Sequence, residues 1–309
     1  MKTAYLFPGQ GSQSPGMLDR FDASDEERLI DRASEILSAD VRKISRNDPS
    51  GILDQTQWTQ PLLLLCSILA LGRLEEEAPS VVLGHSLGEY SAYVAAGALP
   101  LDEALLLVHR RGEFMQKAVP AGTGLMAAVL GPSREEIDRV LAEVRAQTGG
   151  VVSVANDNCP GQCVIAGQKE TVEKAIDALR TAGVRKIVPL AVSVPSHTAL
   201  MSPAARAMKE LLDRTAFGPL NVPVVPNVTA APVGPGEASS EIRDLLVRQL
   251  ESPVEWTKSM ETVIASGVTR FVEVGSGSVL TGLGKRVERQ MGLPEKLTWV
   301  TTDPKVSKE

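Results

Sequence analysis

Short apolar runs alternate along the chain with longer stretches whose apolar residues recur every three or four positions. Residues 3–7 are the first short run and predict a strand. Residues 25–38 carry the helical period, and 54–71 predict a helix opening near Thr59, with Pro61 in its first turn. Residues 81–83 are apolar and β-branched and predict a buried strand. The small apolar stretch 87–96 predicts a helix, stopped by Gly97. A further helix is predicted over 101–118.

The pattern changes at Leu125. Residues 125–130 predict a strand, and Ser133 with Glu136 forms a capping box for a helix reaching Gln147. Strands at 151–155 and 162–166 flank a turn-rich 156–161, which predicts a hairpin. A helix over 170–181, ended by Gly183, and a strand over 184–192 complete the run. The order is β-α-β-β-α-β, a ferredoxin-like small subdomain inserted into a larger α/β unit. The boundaries are therefore 1–123 with 193–309 for the large part and 124–192 for the insert. Beyond it, helices are predicted near 204–213 and 241–250, a Pro/Val-rich strand region at 219–228, and a strong strand at 268–274 leading into a helix. The last ten or so residues are expected to be loosely held.

Composition narrows the class. The 309 residues are 43% hydrophobic and 23% charged, an ordinary globular balance with enough length for a sizeable core. A net charge of −6 gives no reason to expect nucleic acid or an anionic membrane as a partner. The apolar run 62–65 is far too short for a membrane span, and the N-terminus lacks a signal peptide's apolar stretch. Three cysteines, Cys66, Cys159 and Cys163, do not make a disulfide framework in a chain this size. The expected location is the cytoplasm. The three histidines are scattered, so no metal site is expected.

Candidate chemistry gathers at Gly84-His85-Ser86-Leu87-Gly88. With a strand before it and a helix after it, Gly-x-Ser-x-Gly reads as a nucleophile elbow. The serine is presented at a helix N-terminus, where free N–H groups favour developing negative charge. Serine needs a base. His85 is adjacent and points elsewhere on so sharp a turn. His109 lies mid-helix, where a packed or solvated histidine is the plain reading. His197 follows Pro195 on a loop, where functional side chains collect, and is the candidate base. An ordinary α/β-hydrolase places its histidine late, after the acid. Here no histidine follows 197, which points to a different arrangement of the same chemistry. The imidazole must be neutral to take the serine proton, so the serine's reactivity is expected to fall as pH drops through the histidine's pKa, within a unit or so of ~6.5.

Two glycine-rich loops carry less. Residues 8–13 lack the Gly-Lys-Ser/Thr of a phosphate-binding loop. Gly275-Ser276-Gly277 lacks the third glycine of a dinucleotide fingerprint, since Leu280 occupies that place. In the 101–118 helix, Arg111 shares an apolar face with Leu107, Phe114 and Met115, whereas Arg110 shares a polar one with Glu113 and Lys117. A buried guanidinium needs an anionic partner, either an internal carboxylate or a substrate's. Lys285, Arg286 and Arg289 are one candidate for the basic patch that an acidic carrier would need, though a solvated helix face is the better explanation of them.

Taken in order, Phe7-Pro8-Gly9-Gln10-Gly11-Ser12-Gln13, Gly84-His85-Ser86-Leu87-Gly88-Glu89, Arg111-Gly112-Glu113-Phe114-Met115-Gln116, Asn158-Cys159-Pro160-Gly161-Gln162, Val194-Pro195-Ser196-His197, Val247-Arg248-Gln249-Leu250 and Glu273-Val274-Gly275 span nearly the whole chain. The chain resembles the malonyl-CoA:acyl carrier protein transacylase family, acyltransferases of fatty acid and polyketide synthesis. The resemblance implies a hydrolase-like α/β core with a parallel sheet plus the ferredoxin-like insert. It implies that Ser86 is acylated, that His197 is its base, and that the backbone carbonyl of Gln249 orients the histidine in place of an acid. It also implies an oxyanion hole from the N–H groups of Gln10 and Leu87, with Arg111 gripping the malonyl carboxylate. The implied partners are malonyl-CoA and the phosphopantetheine arm of acyl carrier protein, and no cofactor is implied. A trans-acting polyketide acyltransferase with another acyl group, an acyl hydrolase of the same fold and a non-catalytic docking subunit are the alternatives.

Overall fold

The computed structural model describes residues 1–46, 51–75, 78–190 and 194–306. Strand β1 (Thr3–Phe7) is followed by helices α1 (Ser24–Leu37), α2 (Val41–Arg46) and α3 (Thr56–Gly72). Then come β2 (Val81–Gly84), α4 (Gly88–Ala95) and α5 (Leu101–Ala118). The next run is β3 (Gly124–Leu130), α6 (Arg134–Thr148), β4 (Val152–Cys159), β5 (Gln162–Gln168), α7 (Lys169–Thr181) and β6 (Lys186–Pro189). The chain ends with α8 (Ser202–Leu212), β7 (Val224–Val225), α9 (Ser239–Gln249), β8 (Val254–Glu255), α10 (Trp256–Ala265), β9 (Arg270–Glu273), α11 (Val279–Met291) and β10 (Thr298–Thr301).

Two sheets result. The first is parallel throughout, in the order β10-β9-β1-β2-β7. Its central strand β1 is fully apolar from Ala4 to Phe7 and buried on both faces, as a parallel sheet under helices requires. β2 and β9 flank β1, so their carboxyl ends open side by side, where ligands bind in α/β sheets. The second sheet runs β6-β3-β5-β4-β8, antiparallel except where β8 joins β4. Taken in chain order, its first four members stand 4-1-3-2, with the β-α-β-β-α-β connectivity read from the sequence. Alternation divides its faces: Ala127, Val129, Cys163 and Ile165 pack under α6 and α7, while Met126, Val164 and Ala166 face the other way.

Several elements differ from the sequence reading. α3 opens at Thr56, which puts Pro61 inside the helix. Pro61 has no N–H for the carbonyl four residues back, Gln57, and His109 Nδ1 lies 2.9 Å from that oxygen and donates to it. His109 is thereby accounted for as packing. β4 and β5 run through the expected turn region with two register shifts, leaving only Pro160-Gly161 as the turn. The strand region at 219–228 shrinks to Val224–Val225, because Pro223 and Pro226 have no N–H for a ladder. The expected strand at 184–192 is observed only as β6, and its end, with the boundary at 192/193, lies outside the described residues. α2, β8, α10 and β10 were not anticipated. β10 overturns the expected loose tail as far as Asp303: it pairs with β9, and Asp303 accepts the Gly277 N–H at 2.7 Å. Among the described residues, no helix is long and apolar enough to cross a membrane.

The elbow is built on glycine for want of space. A Cβ on Gly84 would fall 1.9 Å from the Gly88 carbonyl, and one on Gly88 would fall 2.0 Å from the Phe7 carbonyl oxygen. Backbone cannot yield as a flexible side chain does, so Gly88→Ala overpacks the junction of α4 with β1, at about 1–3 kcal/mol or more. A thermal melt should show Tm lowered by roughly 2–4 °C per kcal/mol. An unchanged Tm would mean that the junction is softer than its distances indicate.

Candidate active site

A cleft of 560 Å³ opens between the carboxyl ends of the parallel sheet and the free face of the second sheet. Gln10, Ser86, Leu87, Arg111 and His197 line one side, and Met126, Ala128 and Val164 the other. Ser86 sits between β2 and α4 at φ +50°, left-handed backbone that costs a non-glycine residue about 1–3 kcal/mol. Its Oγ is 2.8 Å from His197 Nε2. His197 Nδ1 is 2.7 Å from the backbone carbonyl of Gln249 and donates to it. That bond fixes the tautomer with Nε2 free to accept from the serine. Among the described residues no carboxylate completes the pair; the carbonyl at the end of α9 takes that place. Ser86, His197 and the Gln249 carbonyl, from three distant stretches of the chain, meet at one point.

His197 departs from the sequence expectation in its proton affinity. It is 3% exposed, and burial, reinforced by the Arg111 charge, pushes it down to about 3 rather than leaving it near ~6.5. The neutral, proton-accepting form therefore persists well into acid. His85 points away, as its position on the turn requires. Its Nε2 lies 2.8 Å from Asn158 Oδ1, and its ring packs on Trp256.

Arg111 is 1% exposed, on the apolar face that the helical period assigns it. Its Nη1 donates to Gln60 Oε1 at 2.7 Å, and its Nη2 to Gln249 Oε1 at 2.9 Å and to Ser86 Oγ at 3.3 Å. The guanidinium also lies over the Tyr90 ring. Among the described residues no carboxylate comes within ion-pair distance, and its Nε has no partner. Glu89, behind it, acts only through space. By contrast Arg110 is exposed and pairs with Glu113 at 2.7 Å. The two candidate partners of Arg111 are thereby separated: the internal one is absent from contact range, and the cleft side is open.

The N–H groups of Gln10 and Leu87 have no protein acceptor among the hydrogen bonds of the described residues. Both residues border the cleft beside Ser86. Loop 8–10 is held against the elbow closely enough that a Cβ on Gly9 would fall 2.4 Å from the His85 carbonyl oxygen. Two free donors beside a nucleophile can stabilise an oxyanion. Three further residues were not found from sequence: Gln60, Asn227, and Glu89 in a structural role. Glu89 is fully buried, its Oε2 accepting from the Asn227 N–H at 2.9 Å and the Gln249 side chain at 2.8 Å. Burial pushes its carboxyl up to about 7, against the pull of those two donors and of Arg111. Gln60 and Asn227 sit in segments whose only signal was polar residues bordering apolar runs.

Among known proteins, a family model described as the acyl transferase domain matches residues 4–300. The chain is 48% identical over 290 residues to the malonyl CoA-acyl carrier protein transacylase of Escherichia coli (strain K12), covering 92% of each chain. It superposes on an acyl carrier protein S-malonyltransferase from Vibrio cholerae with TM-score 0.90 and 43% identity, over 97% of this chain and 96% of that one. It also superposes, with TM-score 0.90 and 42% identity, on a malonyl-transacylase in complex with its type II PKS acyl-carrier protein, over 99% and 97%. A match that runs from the first strand to the last, at this identity and superposition, has one meaning: the chain belongs to the acyl transferase domain family.

Proposed function

We propose that this enzyme transfers a malonyl group from malonyl-CoA to the phosphopantetheine thiol of acyl carrier protein, in the cytoplasm, through an ester on Ser86. His197 Nε2 takes the Ser86 proton as Oγ attacks the thioester carbonyl. The tetrahedral oxyanion is held by the N–H groups of Gln10 and Leu87. The C–S bond breaks, His197 returns its proton to sulfur, and CoA-SH leaves. The carrier thiol then attacks the ester, with His197 again taking a proton and returning it to Ser86. The Gln249 carbonyl supports the imidazolium formed in each half-reaction. We assign 124–192 as the small subdomain, whose apolar face forms the far wall of the cleft. The exposed Lys285, Arg286 and Arg289 on α11 offer an acidic carrier a contact beside the cleft mouth, which Val279 and Leu283 border.

Arg111 carries this reading: a buried guanidinium without an ion-pair partner among the described residues, 3.3 Å from the Ser86 hydroxyl. A malonyl carboxylate would supply the missing charge as a bidentate pair. A general hydrolase gains nothing from such a clamp. Removing one partner of a desolvated pair costs about 2–5 kcal/mol, roughly 30- to several-thousand-fold in kcat/KM. Arg111→Ala should therefore lose malonyl-CoA activity on that scale while acetyl-CoA, with no carboxylate, loses little. The malonyl-to-acetyl ratio separates this from a folding defect, which lowers both, and Arg110→Ala should leave the ratio unchanged. An unchanged ratio in a folded Arg111→Ala would overturn the clamp.

A further inference from the structure

The strained elbow is held from behind by residues that do not line the cleft. Asn227 lies two residues beyond β7, the strand paired with β2, and is 1% exposed. Its side chain spans the elbow: Nδ2 donates to the Gly84 carbonyl at 2.6 Å, and Oδ1 accepts the Ser86 N–H at 2.7 Å. Gly84 is the last residue of β2 and Ser86 lies between β2 and α4, so these two groups fall at the junction where the sheet gives way to the helix and a side chain serves them. The Asn227 backbone is fixed in turn, its N–H to Glu89 Oε2 and its carbonyl to the Glu255 N–H at 3.0 Å. The same Glu89 oxygen takes the Gln249 side-chain amide, and that amide also donates to the Ser86 carbonyl at 3.0 Å. Gln249 is the residue whose carbonyl holds His197. One buried network thus registers the nucleophile against its base from three separate elements.

We infer that Asn227 is a positioning residue for acyl transfer, clamping the elbow in its left-handed turn, and that Glu89 locks the clamp to the element holding His197. The inference rests on the acyl-transfer reading above. Both amide functions are needed. Without the clamp, a buried carbonyl and a partly buried N–H are left unpaired. The elbow then relaxes, carrying Ser86 Oγ away from His197 Nε2 and turning the Leu87 N–H. Binding of malonyl-CoA, which engages Arg111, is untouched.

The test is single-turnover malonylation followed by intact mass, on the full chain, for the parent, Asn227→Ala and Asn227→Asp. The rate constant reads only correctly folded molecules, whatever their fraction. Asn227→Ala should lower the rate at saturating malonyl-CoA roughly 10²-fold, the scale of a misplaced reacting group. The half-saturating concentration should stay within about twofold, as for an interaction that matters only in the transition state. Asn227→Asp supplies the signature that mere packing lacks. The titratable groups facing this position are Glu89 and, through Glu89 and Gln249, Arg111 and His197. Ionised, the new carboxylate opposes the Gly84 carbonyl and Glu89. Protonated, it donates to Gly84 while still accepting from Ser86. The Asp-to-Ala rate ratio should therefore rise as pH falls from about 8.5 to 6. An Asn227→Ala rate within about threefold of the parent, or a ratio flat in pH, overturns the clamp and leaves the acyl-transfer reading intact. A parent protein that takes no malonyl overturns both.

Discussion

Ser86→Ala removes malonyl transfer, with the steady-state rate falling on the order of 10⁶-fold, the scale seen when a serine nucleophile is deleted from a working triad. The variant should fold normally. Alanine keeps the backbone N–H that Asn227 accepts and the carbonyl that Gln249 binds, and both bonds are independent of the hydroxyl. Tm is therefore expected to stay close to the parent's. What disappears is the one oxygen 2.8 Å from His197 Nε2, and with it the covalent intermediate. The binding side remains, because Arg111 keeps Gln60 and Gln249 as partners. Malonyl-CoA should still protect the variant against thermal unfolding. Retained transfer by a folded Ser86→Ala would mean that another group carries the acyl chain.

His197→Ala has the second largest expected effect, roughly 10²–10⁴-fold in the acylation rate, the usual contribution of a positioned general base. The sign of its pH behaviour follows from its surroundings. The imidazole must be neutral to take the serine proton, and burial with the Arg111 charge disfavours the cation. A lowered pKa keeps the base competent as pH falls. A bound malonyl carboxylate would offset the Arg111 charge but not the burial. The ring nitrogen shifts of His197 should therefore remain those of neutral imidazole from pH 8 to about 5. A midpoint near ~6.5 would contradict this environment. Equal acylation by His197→Ala and the parent would end its assignment as the base.

Local pattern made most of the architecture legible. The strand run into Gly-x-Ser-x-Gly, the capping box at Ser133 and the two-faced Arg110-Arg111 pair each depend on neighbours within one turn or one strand. The elements that were missed have weaker local marks. α10 opens on Glu255, which offers no side-chain cap, and β10 is a four-residue edge strand recognisable only beside β9. Chain order and loop position singled out His197, but its proton affinity depends on burial, which the sequence does not display. Asn227 is the clearest loss. Its two bonds to the elbow cross more than 140 positions of chain, and nothing in Pro226-Asn227-Val228 marks the residue as a clamp. Arg111 was half legible: the period predicted its burial, and only the packed structure distinguished an internal carboxylate from an open cleft.

Intact-mass measurement of the acyl-enzyme during one complete cycle tests the central claim most directly. With malonyl-CoA alone, the protein should gain one malonyl group at Ser86. Addition of holo acyl carrier protein should return it to its starting mass while the carrier gains the malonyl group, and carrier lacking its phosphopantetheine arm should leave the adduct in place. An adduct that never forms, or one lost to water as fast without holo carrier as with it, would contradict the account.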